Sequence, residues 1–262
     1  MWTLQVKQRL PFLIHPVRVA RWISRQCRFP GTALRIERAA KGRVLGGPFK
    51  GLRIPAWQHL SYAELIGVYE HDLQPIFENM IARRPKVVID VGAAYGYYAL
   101  GLAMRLPQSR VIAYETDPTR RSLLRKFAGL NGLMERVELR GECTADALRR
   151  DMMGAGDSFL LMDVEGAEAA ILEPALVGQL SRAELLIELH EMFVPGVTEL
   201  LQQRFASTHD QRIIAATPLP PHRLDLSAWD LGDLDYATLS RIVDELREGE
   251  MSWLHLTPRK PN

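Results

Sequence analysis

The chain has 262 residues, 47% of them hydrophobic and 24% charged, with a formal net charge of +2. That balance belongs to an ordinary globular protein and excludes a disordered chain or a uniformly basic nucleic-acid binder. Two cysteines, Cys27 and Cys143, with no C-x-x-C pattern exclude a disulfide framework and a cysteine-based zinc site.

No apolar run reaches the roughly 18 residues that span a bilayer. The short piece "LPFLIHPV" holds two prolines and is not expected to be a secretory signal. The expected location is therefore the cytoplasm.

Residues 1–36 carry no acidic side chain and read as a basic arm. On a helix, Arg18, Arg21, Arg25 and Arg28 form one stripe, with Val19, Trp22 and Ile23 beside it. Such a stripe suits packing on the domain or on a second copy of the chain in a homodimer. The second reading is an acidic partner, or peripheral contact with the anionic inner face of a membrane. Nucleic acid is not expected, because the basic character ends with the arm.

The turn-rich stretch 46–57 predicts a small hairpin or loop. Ser61 and Glu64 then form a capping-box pattern, with Ile66, Tyr69, Leu73 and Ile76 at helical spacing and a break just before Pro75. The reading divides the chain into an arm and hairpin region, 1–60, and a main domain, 61–262.

From residue 86, β-rich runs alternate with helical patterns. Strands are predicted at 86–91, 110–115, 136–140, 158–163, 184–189, 211–215 and 252–256. Helices are predicted near 96–106, 118–129, 145–152, 166–172, 196–206 and 236–248. This alternation predicts an α/β fold with a seven-stranded, mostly parallel, doubly wound Rossmann-like sheet. The last strand follows a long connection and is expected to be antiparallel. Segment 216–235, with His222 and Trp229, reads as a cover over the substrate.

In such a sheet, ligands bind beyond the carboxyl ends of the strands, where strand order reverses. The first strand runs into Asp90-Val91-Gly92-Ala93-Ala94-Tyr95-Gly96. Gly92 would let a ligand approach the backbone, and Gly96 would open a helix with exposed amides. The spacing is G-x-x-x-G, so the dinucleotide fingerprint is absent, and a smaller nucleoside with an amino-acid tail fits better. Glu115, at the end of the second strand, can accept hydrogen bonds from both hydroxyls of a ribose. Asp117 before Pro118 reads as a helix cap. Asp90 either organises the turn or touches the ligand.

The segments "VIDVGAAYGYYALGLA", "VIAYETDP", "LLMDVEGAEAAIL" and "LLIELHE" together resemble class I S-adenosylmethionine-dependent methyltransferases, and more narrowly the FkbM-type family. The likeness covers about residues 61–215. It implies S-adenosylmethionine over the first two strands. Asp90, Gly92 and Gly96 would line its methionine part, with Ala93 and Tyr95 in the same site, and Glu115 would hold the ribose. Glu142 and Cys143 fall where such folds contact adenine; otherwise they are a solvated loop residue and a small buried one. The family often has Asn where Ala94 stands and Lys where Met162 stands.

Asp163 ends the fourth strand and is the first candidate to orient or deprotonate an acceptor hydroxyl. Its alternative is a cap on a helix starting near Gly166. Glu165 and Glu168 read as structural charges in the first turn of that helix. Glu188, His190 and Glu191 end the fifth strand beside the same cleft, and His190 is a second candidate base, with Glu188 beside it. Asp163, Glu188 and His190 would suit a divalent ion. One sequence does not show that they converge, and no metal is expected.

The leading expectation is an O-methyltransferase using S-adenosylmethionine on a small molecule, sugar or lipid-linked glycan. The alternatives are a non-catalytic cofactor-binding relative and, behind it, a nicotinamide-dependent oxidoreductase.

Overall fold

The computed structural model describes residues 30–54, 62–220, 231–243 and 251–259. The arginine stripe at 18–28, Ser61, His222 and Trp229 lie outside these residues. The described residues fall into two compact units, one within Asp72–Thr217 and Glu248–Asn262, the other within Met1–His71 and Pro218–Arg247. The sequence reading drew its boundary at residue 60 and kept the later segment in the main domain; by contacts, that segment groups with the N-terminal part.

The smaller unit contains helices α1 (Pro30–Ala40), α2 (Tyr62–Ile66) and α10 (Tyr236–Val243). They bury Ile36, Tyr62, Leu65, Leu239 and Ile242 in a common core. α1 begins at the end of residues 1–36, expected as an N-terminal helical arm, and runs beyond it to Ala40. Of the predicted hairpin region, 46–57, residues 46–54 are described, and Arg53 there forms an isolated antiparallel bridge with Arg43.

The larger unit holds the sheet. Helix α3 (Gln74–Arg83) carries Pro75 in its first turn, where a missing N–H costs no helical bond. Then follow β1 (Val87–Val91), α4 (Tyr97–Arg105), β2 (Arg110–Tyr114), α5 (Pro118–Leu130), β3 (Val137–Arg140), α6 (Ala145–Met152) and β4 (Ser158–Met162). α7 (Glu168–Ile171), α8 (Val177–Leu180), β5 (Ala183–Leu189), α9 (Val197–Phe205), β6 (His209–Ala215) and β7 (Ser252–Pro258) complete the unit.

All seven predicted strands are present. Side-chain caps start two α-helices, of which the one at Asp117 is expected from the sequence. Asp117 accepts from Thr119 N at 2.7 Å to cap α5, and Thr144 accepts from Ala147 N at 3.2 Å to cap α6. α7 begins at Glu168 rather than Gly166, because Glu165 (φ 55°) and Gly166 (φ 104°) form a left-handed turn first.

Strand order is β3-β2-β1-β4-β5-β7-β6. Neighbours from β3 to β5 are parallel, and β7 runs antiparallel to both β5 and β6. The order reverses between β1 and β4, so the ligand edge predicted for this topology is the carboxyl end of those two strands.

Register decides which side chains share a face. Asp90 pairs with Ala113 and Leu161, and Met162 with Ile187. With a side-chain period of two, Asp90, Glu115, Asp163, Glu188 and His190 all lie on one face. The opposite face carries an apolar cluster that includes Ile89, Val91, Ile112, Tyr114, Met162 and Ile187.

The tip of β2 is held by a polar network. The Tyr114 hydroxyl donates to the buried Asp151 carboxylate, which also accepts from Arg140 Nη1 at 2.6 Å. Burial, and then the Asp151 bond, push the Tyr114 hydroxyl up to about 12. The Arg110 guanidinium, bonded to Glu138, holds that carboxyl down at about 2. Asp151→Ala strips one partner from a phenol and one from a guanidinium at once. It is expected to lower unfolding free energy by about 1–3 kcal/mol in urea titrations, and Tyr114→Phe to cost less.

Candidate active site at the carboxyl edge of the sheet

Main-chain bonds lock four strand tips together. Gly92 N and Ala93 N both donate to Tyr114 O, at 2.9 and 2.8 Å. Asp163 N donates to Val91 O at 2.9 Å, and Glu115 N to Arg140 O at 3.2 Å. The loop after β1 and the loop after β2 therefore lie side by side at one edge of the sheet.

Glu115 joins them through its side chain. It accepts from Ala94 N at 2.8 Å through one oxygen and from Asp117 N at 2.7 Å through the other. It is 5% exposed. Each carboxylate oxygen has a second lone pair, so further acceptor capacity remains. Ala94 sits at φ 48°, a left-handed conformation that Asn tolerates better than Ala.

Both loop glycines have local causes that the sequence did not reveal. A Cβ on Gly92 (φ 93°) would lie 1.7 Å from the Asp163 carbonyl oxygen. On Gly96 (φ 95°) it would lie 2.8 Å from Leu124 Cγ. The space each glycine leaves is filled by protein, by the tip of β4 in one case and by α5 in the other. Tyr95 is half-buried against Phe127, with ring centroids 6.0 Å apart, and Ala93 is buried.

Asp90 is 2% exposed, and its Oδ2 has no hydrogen-bond partner among the described residues. Burial, and then the nearby Asp163 charge, push its carboxyl up to about 8.

Across β4 and β5 a second group forms. His190 Nε2 lies 3.5 Å from Asp163 Oδ1 and 3.6 Å from Glu188 Oε2. The other ring nitrogen, Nδ1, is hydrogen-bonded to Glu168. Glu168 is wholly buried and also accepts from Gly166 N at 3.1 Å. The ring stacks on Phe193 at 5.8 Å between centroids. Burial disfavours the imidazolium, but the Glu168 bond and the charges of Asp163, Glu168 and Glu165 outweigh it and raise the His190 pKa above its ordinary value. The side chain of Asp163 is 45% exposed and opens the group to solvent.

Glu168 is the member of this group that the sequence pattern does not single out. As a first-turn acid it looked structural, and only the fold sets it against a ring 22 residues away. Asp163 does not cap α7, whose N-terminal residue position is Ala167 without a side-chain cap. Glu191 is turned away from the group, accepting from Gly196 N and Thr198 N at 2.7 and 2.8 Å ahead of α9. Glu142 is exposed. Cys143 belongs to the apolar cluster on the opposite face, and burial pushes its thiol up to about 12.

No protein-family profile and no curated protein matches the chain. Similar solved structures include a cofactor-bound protein from MTB, 16% identical over 88% of this chain and 89% of that one, TM-score 0.45. An O-methyltransferase from Bacillus cereus in complex with SAH is 13% identical over 73% and 80%, TM-score 0.45. A precorrin-6y C5,15-methyltransferase from Geobacter metallireducens is 12% identical over 72% and 88%, TM-score 0.43. These are distant likenesses of chain trace. Among the described residues no helix is long and apolar enough to cross a membrane.

The Asp90 shift has a sign. Its folded value of about 8 stands above the ordinary 3.8, so its favourable contribution is present below 3.8 and is lost as pH rises toward 8. Asp90→Asn, which removes that titration, is expected to melt higher than the native chain, with a gap that widens between about pH 4 and pH 8. Thermal denaturation at pH 5 and pH 8 measures it; a gap independent of pH contradicts the assignment.

Proposed function

We propose that the chain is an S-adenosylmethionine-dependent methyltransferase of the FkbM type, acting on a hydroxyl of a small molecule, sugar or lipid-linked glycan. The observation that supports it most is the charge of one face. Asp90 and Glu115 lie at the tips of β1 and β2, and Asp163 and Glu188 at those of β4 and β5, around the point where strand order reverses. Such a face suits a ligand carrying positive charge and hydroxyls. S-adenosylmethionine has both, with a sulfonium, an ammonium and a ribose diol. The half-satisfied Asp90 carboxyl and the residual acceptor capacity of Glu115 fit it. The two glycines do not argue for it, because protein fills the space beside them.

When bound, the cofactor supplies an electrophilic methyl group on positive sulfur. Glu115 would hold the ribose and Asp90 the charged amino-acid end. An attacking hydroxyl oxygen must be aligned with the methyl carbon, and its proton must leave. Asp163 is the member of the group open to solvent, so it is the one an acceptor reaches and the one that receives the proton. His190, held on its far side by Glu168 and facing Asp163 at 3.5 Å, orients rather than abstracts. The closed ring of backbone bonds around the loops keeps these groups in place before any ligand arrives.

Calorimetric titration with S-adenosylhomocysteine tests this. The native chain is expected to bind it, and Glu115→Gln, which keeps size but loses charge and sets an amide nitrogen against one of the two backbone N–H groups, to bind at least about tenfold more weakly, while melting lower yet still folding cooperatively. Equal affinity, or no binding by the native chain, would refute the assignment. Transfer of labelled methyl to an acceptor extract then separates an enzyme from a binding-only relative.

A further inference from the structure

We propose that Asp163, Glu188 and His190 hold one divalent cation. A use for it in transfer to a hydroxyl rests on the reading above; the site itself does not.

Three donors from two neighbouring strand ends converge here. Oxygens of Asp163 and Glu188 and a ring nitrogen of His190 all lie within 4.8 Å of one another. Register produces this, since Met162 pairs with Ile187, which sets Asp163 beside Glu188, with His190 on the same face one pleat further on. The spacings from Nε2, 3.5 and 3.6 Å, are those of donors sharing one ion rather than of direct hydrogen bonds. A carboxylate pair with one imidazole suits a first-row divalent ion.

A second feature is independent of the three donors. His190 Nδ1 is engaged by Glu168, which is wholly buried and itself fixed by Gly166 N. That bond assigns the Nδ1 proton and leaves Nε2 as the free donor atom, aimed between Asp163 and Glu188. A carboxylate behind a ligating histidine is the arrangement that orients metal-binding rings.

Charge points the same way. Glu168, Glu188 and Asp163 surround one ring, and two of the three carboxylates are buried. A protonated ring would still leave them two charges in excess. A divalent ion with a neutral ring reduces the excess to one, which matters where burial removes water. The half-exposed Asp163 leaves an open side for water or an acceptor oxygen. A cation there lowers the pKa of a hydroxyl bound to it, easing loss of the proton.

The test uses the full chain, stripped with chelator and titrated with Mn2+ by calorimetry and by electron paramagnetic resonance. One saturable equivalent is expected, with a resonance spectrum altered from that of free Mn2+. Asp163→Asn, at a half-exposed position that the fold tolerates, is expected to weaken binding at least about tenfold; His190→Gln is expected to do the same. Absence of saturable binding means that a protonated ring alone balances the group, and overturns the proposal. Binding unchanged in Asp163→Asn places the ion elsewhere and also overturns it. S-adenosylhomocysteine is titrated into the same samples, so that loss of the cation site and loss of the cofactor reading are told apart.

Discussion

The backbone contact between the tips of β1 and β4 governs everything at this edge of the sheet. The Asp163 carbonyl oxygen occupies the place where a side chain on Gly92 would begin, 1.7 Å from the ideal Cβ. Any larger residue would push the two strands apart where the strand order reverses. Close approach here brings Asp90 and Asp163 near enough for one charge to raise the pKa of the other carboxyl. The pairing of β4 with β5 then delivers Glu188 and His190 to the same face. A cofactor is not needed to explain the glycine, yet the glycine is needed for the cleft.

The resulting face concentrates negative charge where the rest of the sheet is apolar. Asp90, Glu168 and Glu188 are all nearly inaccessible, and burying carboxylates is unfavourable unless a cation or a proton accompanies them. Asp90 meets this by holding its proton up to about 8. The group around His190 sets three carboxylates against one ring, which by itself does not balance them. Structures tend to retain such unfavourable arrangements where a ligand of opposite charge completes them. The polar network of Tyr114, Asp151 and Arg140 differs, because its opposite charges already balance and its partners are bonded. It braces the tip of β2, and through it Glu115, without facing the cleft.

Much of this could be read from local pattern. Runs such as "VVIDV" and "LLIEL" are apolar throughout because both faces of the strand are covered, and they announce a parallel sheet without any knowledge of the partners. Asp117 before Pro118, and Thr144 before α6, mark helix starts through side-chain bonds two or three residues long. Candidate acids and His190 stood out because each ends a strand, where this topology exposes side chains to ligand. Glu168 did not stand out. Nothing within its own turn distinguishes an acid that favours the helix start from one that is wholly buried against an imidazole. Cys143 was drawn toward the cofactor by its place after β3, whereas its side chain falls on the opposite, apolar face.

The amino-acid sequence by itself determined which segments become strands and helices, and which chemistry each strand end carries. Those properties depend on periodicity and on contacts a few residues apart. Only the tertiary structure decided which of those ends meet. Convergence depends on strand order, on register, and on one backbone contact at Gly92, and each of these is settled by packing between segments tens of residues apart. The grouping of Asp163, Glu168, Glu188 and His190 around a single ring belongs wholly to that second kind.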